Sequence, residues 1–76
     1  MTDYRPISCA IYSQYELAIL HRTALRLRWR EGDGVIHLEF LTPEDLETRC
    51  GEEFLLARNG AGKTVRVRLD RVRTVP

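Results

Sequence analysis

The stretch Ala24-Leu25-Arg26-Leu27-Arg28-Trp29-Arg30, followed by Gly32-Asp33-Gly34 and then Val35 to Leu41, decides how the chain folds. Its first arm alternates apolar and charged residues without a break, and successive residues of a strand point to opposite faces. Leu25, Leu27 and Trp29 therefore share one face, and Arg26, Arg28 and Arg30 share the other. Trp29, in phase with the two leucines, belongs to a core. The glycines around Asp33 mark a turn, so the whole stretch reads as a hairpin with one buried and one wet side. In the return arm Ile36, Leu38 and Phe40 make the apolar set, against Val35, His37 and Glu39. A second alternating run, Thr64-Val65-Arg66-Val67-Arg68-Leu69-Asp70, repeats the logic near the end of the chain.

Outward from this hairpin the remaining elements are short. Pro6 pushes Arg5 away from helical geometry, and Ser8 can cap a helix running over about 8–20. Ile11, Tyr15 and Ala18 fall on one helix face with Ile19 at its edge, whereas Leu17 and Leu20 lie to another side. Apolar residues on two sides fit a sheet on one and a partner on the other, or internal packing of both. Strands are expected over about 24–30, 35–41, 53–58, 64–69 and 72–75. Thr42-Pro43-Glu44-Asp45 reads as a helix start, with a cap, a proline at the first helical position and an acid three residues after the cap. Gly51 leaves room for only a turn or two. A helix followed by five short strands gives a mainly β fold, an N-terminal α-helix on a small antiparallel Sm-like or SH3-like barrel, closed or nearly closed. Such barrels break between their last two strands with a single 3₁₀ turn, here near Leu69-Asp70-Arg71.

Seventy-six residues make one domain, 1–76, with an ordinary apolar content. No apolar run approaches the roughly 20 residues of a membrane span, and no signal-peptide pattern opens the chain, so a cytoplasmic location is expected. Cys9 and Cys50 read as reduced, partly buried thiols with no metal-ligand spacing, so no metal or other cofactor is expected. The net charge of +1 hides three blocks: +3 over residues 1–30, −7 over 31–56 and +5 over 57–76. Folding can interleave these blocks into separate acidic and basic faces.

Gly60-Ala61-Gly62-Lys63-Thr64 looks like the end of a phosphate-binding loop, but Ala57 stands where the first glycine is needed and a β-alternating run follows instead of a helix. It reads as a hairpin turn. His21 and His37 lie on different elements with no nucleophile and acid at a recognisable spacing, so the chain reads as no enzyme. The arginines Arg26, Arg28, Arg30, Arg66 and Arg68 could track a phosphate backbone. They can also pair with the acids of the middle block across neighbouring strands, and the stripes read as solvated strand faces rather than as a nucleic-acid site.

Several segments together resemble the Rof family, small bacterial proteins that inhibit the transcription terminator Rho. These are Tyr4-x-Pro6-Ile7-x-Cys9-x-x-Tyr12, Glu16-Leu17-Ala18 with His21, the alternating strand with its glycine turn, Asp45-Leu46-x-x-Arg49, Glu53-Phe54-Leu55 and Arg68-Leu69-Asp70-Arg71-Val72. They follow family order over nearly the whole chain. The resemblance implies an Sm-like barrel that docks on the OB-fold domain of Rho near its primary RNA-binding site, obstructs RNA and so acts in antitermination. It implies contacts from Tyr12, Gln14 and Glu16 on the helix, with Arg49 ordering the loop. Ala10, Ile11, Ser13 and Gln14 stand where family members carry acids, and Tyr15 replaces a usual leucine. These departures imply docking that is weaker, or more apolar through Ile11, Tyr12 and Tyr15, or shifted to the acidic stretch Glu44 to Glu53. A monomer is expected. The alternatives are an Sm-like RNA binder that uses its arginine faces, or the same fold turned to another protein partner.

Overall fold

In the computed structural model, which describes residues 3–76, one helix precedes five antiparallel strands in a single sheet. Helix α1 spans Cys9–His21, and the strands are β1 Leu25–Arg30, β2 Ile36–Arg49, β3 Glu52–Arg58, β4 Thr64–Arg68 and β5 Val72–Thr74. A 3₁₀ turn, Leu69–Arg71, joins β4 to β5 where the sequence expects it. The order across the sheet is β4-β3-β2-β1-β5, which leaves β4 and β5 as its edges. No ladder joins these two among the described residues, so the barrel is open rather than closed.

The core follows from the alternation. Leu27 and Trp29 of β1, Leu41 of β2, Leu55 and Ala57 of β3, Val67 of β4, Leu69 and Val72 pack around Tyr15 of the helix. Ser8 caps α1 by accepting from the Ile11 N–H at 3.3 Å, and Arg22 closes it in the left-handed region at φ 53°. Tyr15 and Ala18 are the helix residues that reach the core, with Ile19 half-buried beside them. Leu17 and Leu20 are 55% and 73% exposed, so the second apolar side of α1 is not packed internally, and Ile11, expected on the buried face with Tyr15, is itself 43% exposed.

Two expectations for β2 are corrected. Ile36, Leu38 and Phe40 face outward, at 47%, 50% and 66% exposure. Cross-strand partners share a face, and the register sets buried Trp29 opposite His37, so it is the odd-numbered residues of this arm that turn inward. The two rings stack with centroids 5.1 Å apart. Nor does Thr42-Pro43-Glu44-Asp45 start a helix, because β2 runs on through it to Arg49. Pro43 pairs with Ala57 and Asp45 with Leu56, leaving Glu44 as the extra residue of a bulge. A bulge tolerates proline, whose missing N–H costs the ladder little there. Local helix-start chemistry yields to pairing with the apolar run Leu55-Leu56-Ala57. The bulge also reverses the phase, so Pro43 points in and, beyond Glu44, Leu46 does.

Candidate functional site

The helix packs against β2, and its first turns open onto a recess of about 350 Å³. Ile7, Cys9, Tyr12, Ser13, Glu16 and Glu53 line it. Glu53 reaches this place because it points inward at the start of β3, whereas its neighbour Glu52 points to the outer face. The Tyr4 hydroxyl donates to Glu53 Oε1 at 3.1 Å. Desolvation, followed by that bond and the charge of Glu53, pushes the Tyr4 phenol up to about 12. Tyr12 is raised as well, by burial first and then by the carboxylates of Glu53 and Glu16. The recess is thus an aromatic and aliphatic floor with two carboxylates at its rim, suited to receive a cationic side chain.

Of the residues that the resemblance implies, Tyr12 and Glu16 share this recess. Gln14 turns to a different depression, of about 300 Å³, with Leu17, His21, Thr23, Leu25 and Thr74. Arg49 lies at the end of β2, exposed beside the Cys50–Gly51 turn, and lines neither depression. Tyr15 is corrected: at 1% exposure it belongs to the core and offers a partner nothing. Its hydroxyl finds no hydrogen-bond partner among the described residues, and burial raises its pKa. The acidic stretch is largely engaged within the chain. Glu44 meets Arg58 at 3.1 Å, Glu47 meets Arg66 at 3.6 Å and Glu52 meets Arg68 at 3.4 Å.

The two arginine rows separate. Arg68 is enclosed, its side chain 11% exposed. It grips Asp70 through two bonds of 2.6 and 2.7 Å and reaches Asp3 at 2.8 Å. The N–H of Arg5 also donates to Asp70, so this cluster ties the N-terminal lead to the 3₁₀ turn. Arg66 lies 3.9 Å above the Phe54 ring. On β1, Arg26 donates to the Pro76 carbonyl oxygen, whereas Arg28 and Arg30 make no ion pair among the described residues. The cluster around Arg68 is invisible in the sequence because its members come from both ends of the chain and the middle. Its one legible sign is the Arg68-Leu69-Asp70 spacing across the expected 3₁₀ turn.

Cys9 and Cys50 are exposed and unbridged, not partly buried. The glycine stretch at 60–62 is a hairpin turn: Asn59 Oδ1 accepts from the N–H groups of Ala61 and Lys63, both at 3.0 Å. Among the described residues no group of three His, Cys, Asp or Glu side chains could hold a metal ion. No helix among them is long and apolar enough to cross a membrane. Compared with known proteins, the chain matches no protein-family model and no curated protein sequence.

Proposed function

We propose that the chain is a non-catalytic regulator that docks through the Tyr12 recess onto the RNA-binding OB-fold of transcription terminator Rho and obstructs RNA there. One observation carries this reading. Tyr4, Ile7, Cys9, Tyr12, Glu16 and Glu53, which come from three separate segments of the Rof resemblance, converge on this one recess or its rim. An OB-fold groove that accepts single-stranded RNA is basic. Carboxylates set around an aromatic floor are complementary to such a groove and steer encounter with it. Exposed Ile11 on the same helix adds apolar contact beside the recess.

The test is a competition between this protein and a labelled pyrimidine-rich RNA for purified Rho. Release of the RNA, with Rho retained in a joint complex, is the expected result. RNA that stays on Rho at saturating protein overturns the reading. The Glu16→Arg variant is expected to bind Rho about tenfold more weakly, as charge reversal at an interface rim does. Its thermal melt should be unchanged, because Glu16 is exposed and holds no salt bridge among the described residues. Unaltered affinity in that variant removes the helix from the interface.

A further inference from the structure

The outer face of the β1–β2 hairpin carries two columns side by side. Arg26 pairs with Phe40, Arg28 with Leu38 and Arg30 with Ile36, so each guanidinium stands beside one exposed apolar side chain. Within a column the side chains repeat every second residue, about 6.6 Å, and the columns lie about 4.8 Å apart. On the far flank β5 sets Arg73 opposite Arg28. There Arg28, Arg30, Arg71 and Arg73 line a groove of about 250 Å³ together with Val72 and Asp70. The only acid in that lining, Asp70, is already held by Arg68 and by the Arg5 N–H. Glu31, the acid closest in sequence to the row, is turned to Trp29 and His37 on the inner face. A second recess sets Arg30 near Glu31 and Glu52, but Arg26, Arg28 and Arg30 are held in no ion pair among the described residues, so the face is cationic along one line and apolar along the next.

A surface that repeats a charge and an apolar platform three times fits a polymer that repeats a phosphate and a flat ring. We propose that this face binds single-stranded nucleic acid, with phosphates following Arg26, Arg28 and Arg30 and bases resting on Phe40, Leu38 and Ile36. Arg71 and Arg73 widen the positive field along the groove. Single strands are favoured over duplex because only unpaired bases can turn their faces to a flat platform. A second copy of this chain is disfavoured as the occupant, since two such faces would bring like charges together. The face shares no residue with the Tyr12 recess, so it stands independently of the proposed docking on Rho.

The test uses the whole chain without Rho and fluorescence anisotropy of labelled oligo-uridylate and oligo-thymidylate of about twelve nucleotides, a length within the reach of small single-strand binders. Both strands are expected to bind, and tighter binding of the uridylate would add contacts to the 2′-hydroxyl. The salt dependence should have a log–log slope of about −2, the value for three phosphates engaged on a single strand. Arg28→Glu combined with Arg30→Glu should reduce affinity more than about tenfold, and Phe40→Ala by about tenfold through loss of one stacked base. Lys63→Glu, a charge reversal at the far β3–β4 hairpin, should change it less than about twofold. Absence of binding at low salt overturns the proposal. So does binding that falls as much with Lys63→Glu as with the paired reversal, or that favours a duplex and ignores Phe40→Ala. Equal affinity for polyglutamate would reassign the face to an acidic protein. Thermal melts of each variant keep a folding defect from being read as lost binding.

Discussion

Strands β1 and β4 carry the same sequence logic, an apolar residue and then an arginine, yet their guanidinium groups end in opposite surroundings. The cause lies in the neighbouring column. Past the bulge the outer face of β2 presents Asp45 and Glu47, and the same face of β3 adds Phe54, opposite Glu47, and Glu52, opposite Arg49. Arg66 and Arg68, one strand further on, therefore find carboxylates and a ring. Before the bulge the same face of β2 presents Ile36, Leu38 and Phe40, which offer a guanidinium no counter-charge. Alternation tells which way an arginine points. What it meets there is decided by residues far away in the chain.

The largest test of this contrast is Arg68→Ala. Its loss would leave the enclosed carboxylate of Asp70, with a side chain 9% exposed, short of its main counter-charge. Removing one partner of such a buried pair costs about 3 kcal/mol. Chemical denaturation should show that drop, and a loss no larger than that of Arg28→Ala would erase the distinction between the strands. Acid should act on the same cluster. Burial pushes the Asp70 carboxyl up, but its bonds to Arg68 and the Arg5 N–H, with the charges of Arg68 and Arg71, outweigh this and hold it below the usual aspartate range. Asp3 is also lowered, chiefly by its hydrogen bond to Arg68. A carboxylate depressed by folding stabilises the native state at pH values above its unfolded pKa. That contribution fades as pH falls below about 4 and is lost on passing through the folded pKa. Melts recorded down this range should therefore fall less steeply in Arg68→Ala than in the unaltered chain.

Arg66→Ala probes the middle of the scale. Its half-exposed bridge to Glu47 and its place over Phe54 together suggest a loss of about 1 kcal/mol. The smallest effect belongs to Arg28→Ala, expected within about 0.5 kcal/mol of the unaltered chain because no counter-charge is abandoned. A clear gain in stability there would sharpen the contrast, showing that the bare row repels itself in the folded state.

Much of the fold was legible in the residues themselves. The helix cap at Ser8, the inward Leu27 and Trp29, the Asn59 turn and the 3₁₀ corner all rest on local chemistry, and local chemistry is what a sequence displays. The outward face of Ile36, Leu38 and Phe40 was not, since three apolar residues at strand spacing look like core unless the hairpin register is known. That register was within reach: a buried Trp29 across a loop closed by Arg30 and Ile36 obliges His37 to face inward. The continuation of β2 through Pro43 was out of reach, because it depends on pairing with β3 rather than on Thr42-Pro43-Glu44-Asp45. At the site, Tyr12 and Glu16 could be grouped by helix spacing alone. Glu53 joined them only through the path of β3, and Tyr15 was drawn into the core where the family resemblance suggested a contact.

The extra residue at Glu44 has a genetic consequence. Within β2 it switches the parity by which side chains are dealt to the two sides, so one strand can wall the core at both ends while showing grease on one stretch and acid on the next. Loss of that single codon would restore one parity throughout. Either the acids near Glu47 or the column at Leu38 would then trade places with the core wall, a change no point substitution can imitate. The two outer surfaces of this molecule can drift independently by substitution, yet one reading-frame-preserving deletion would turn one of them wholly into the core wall.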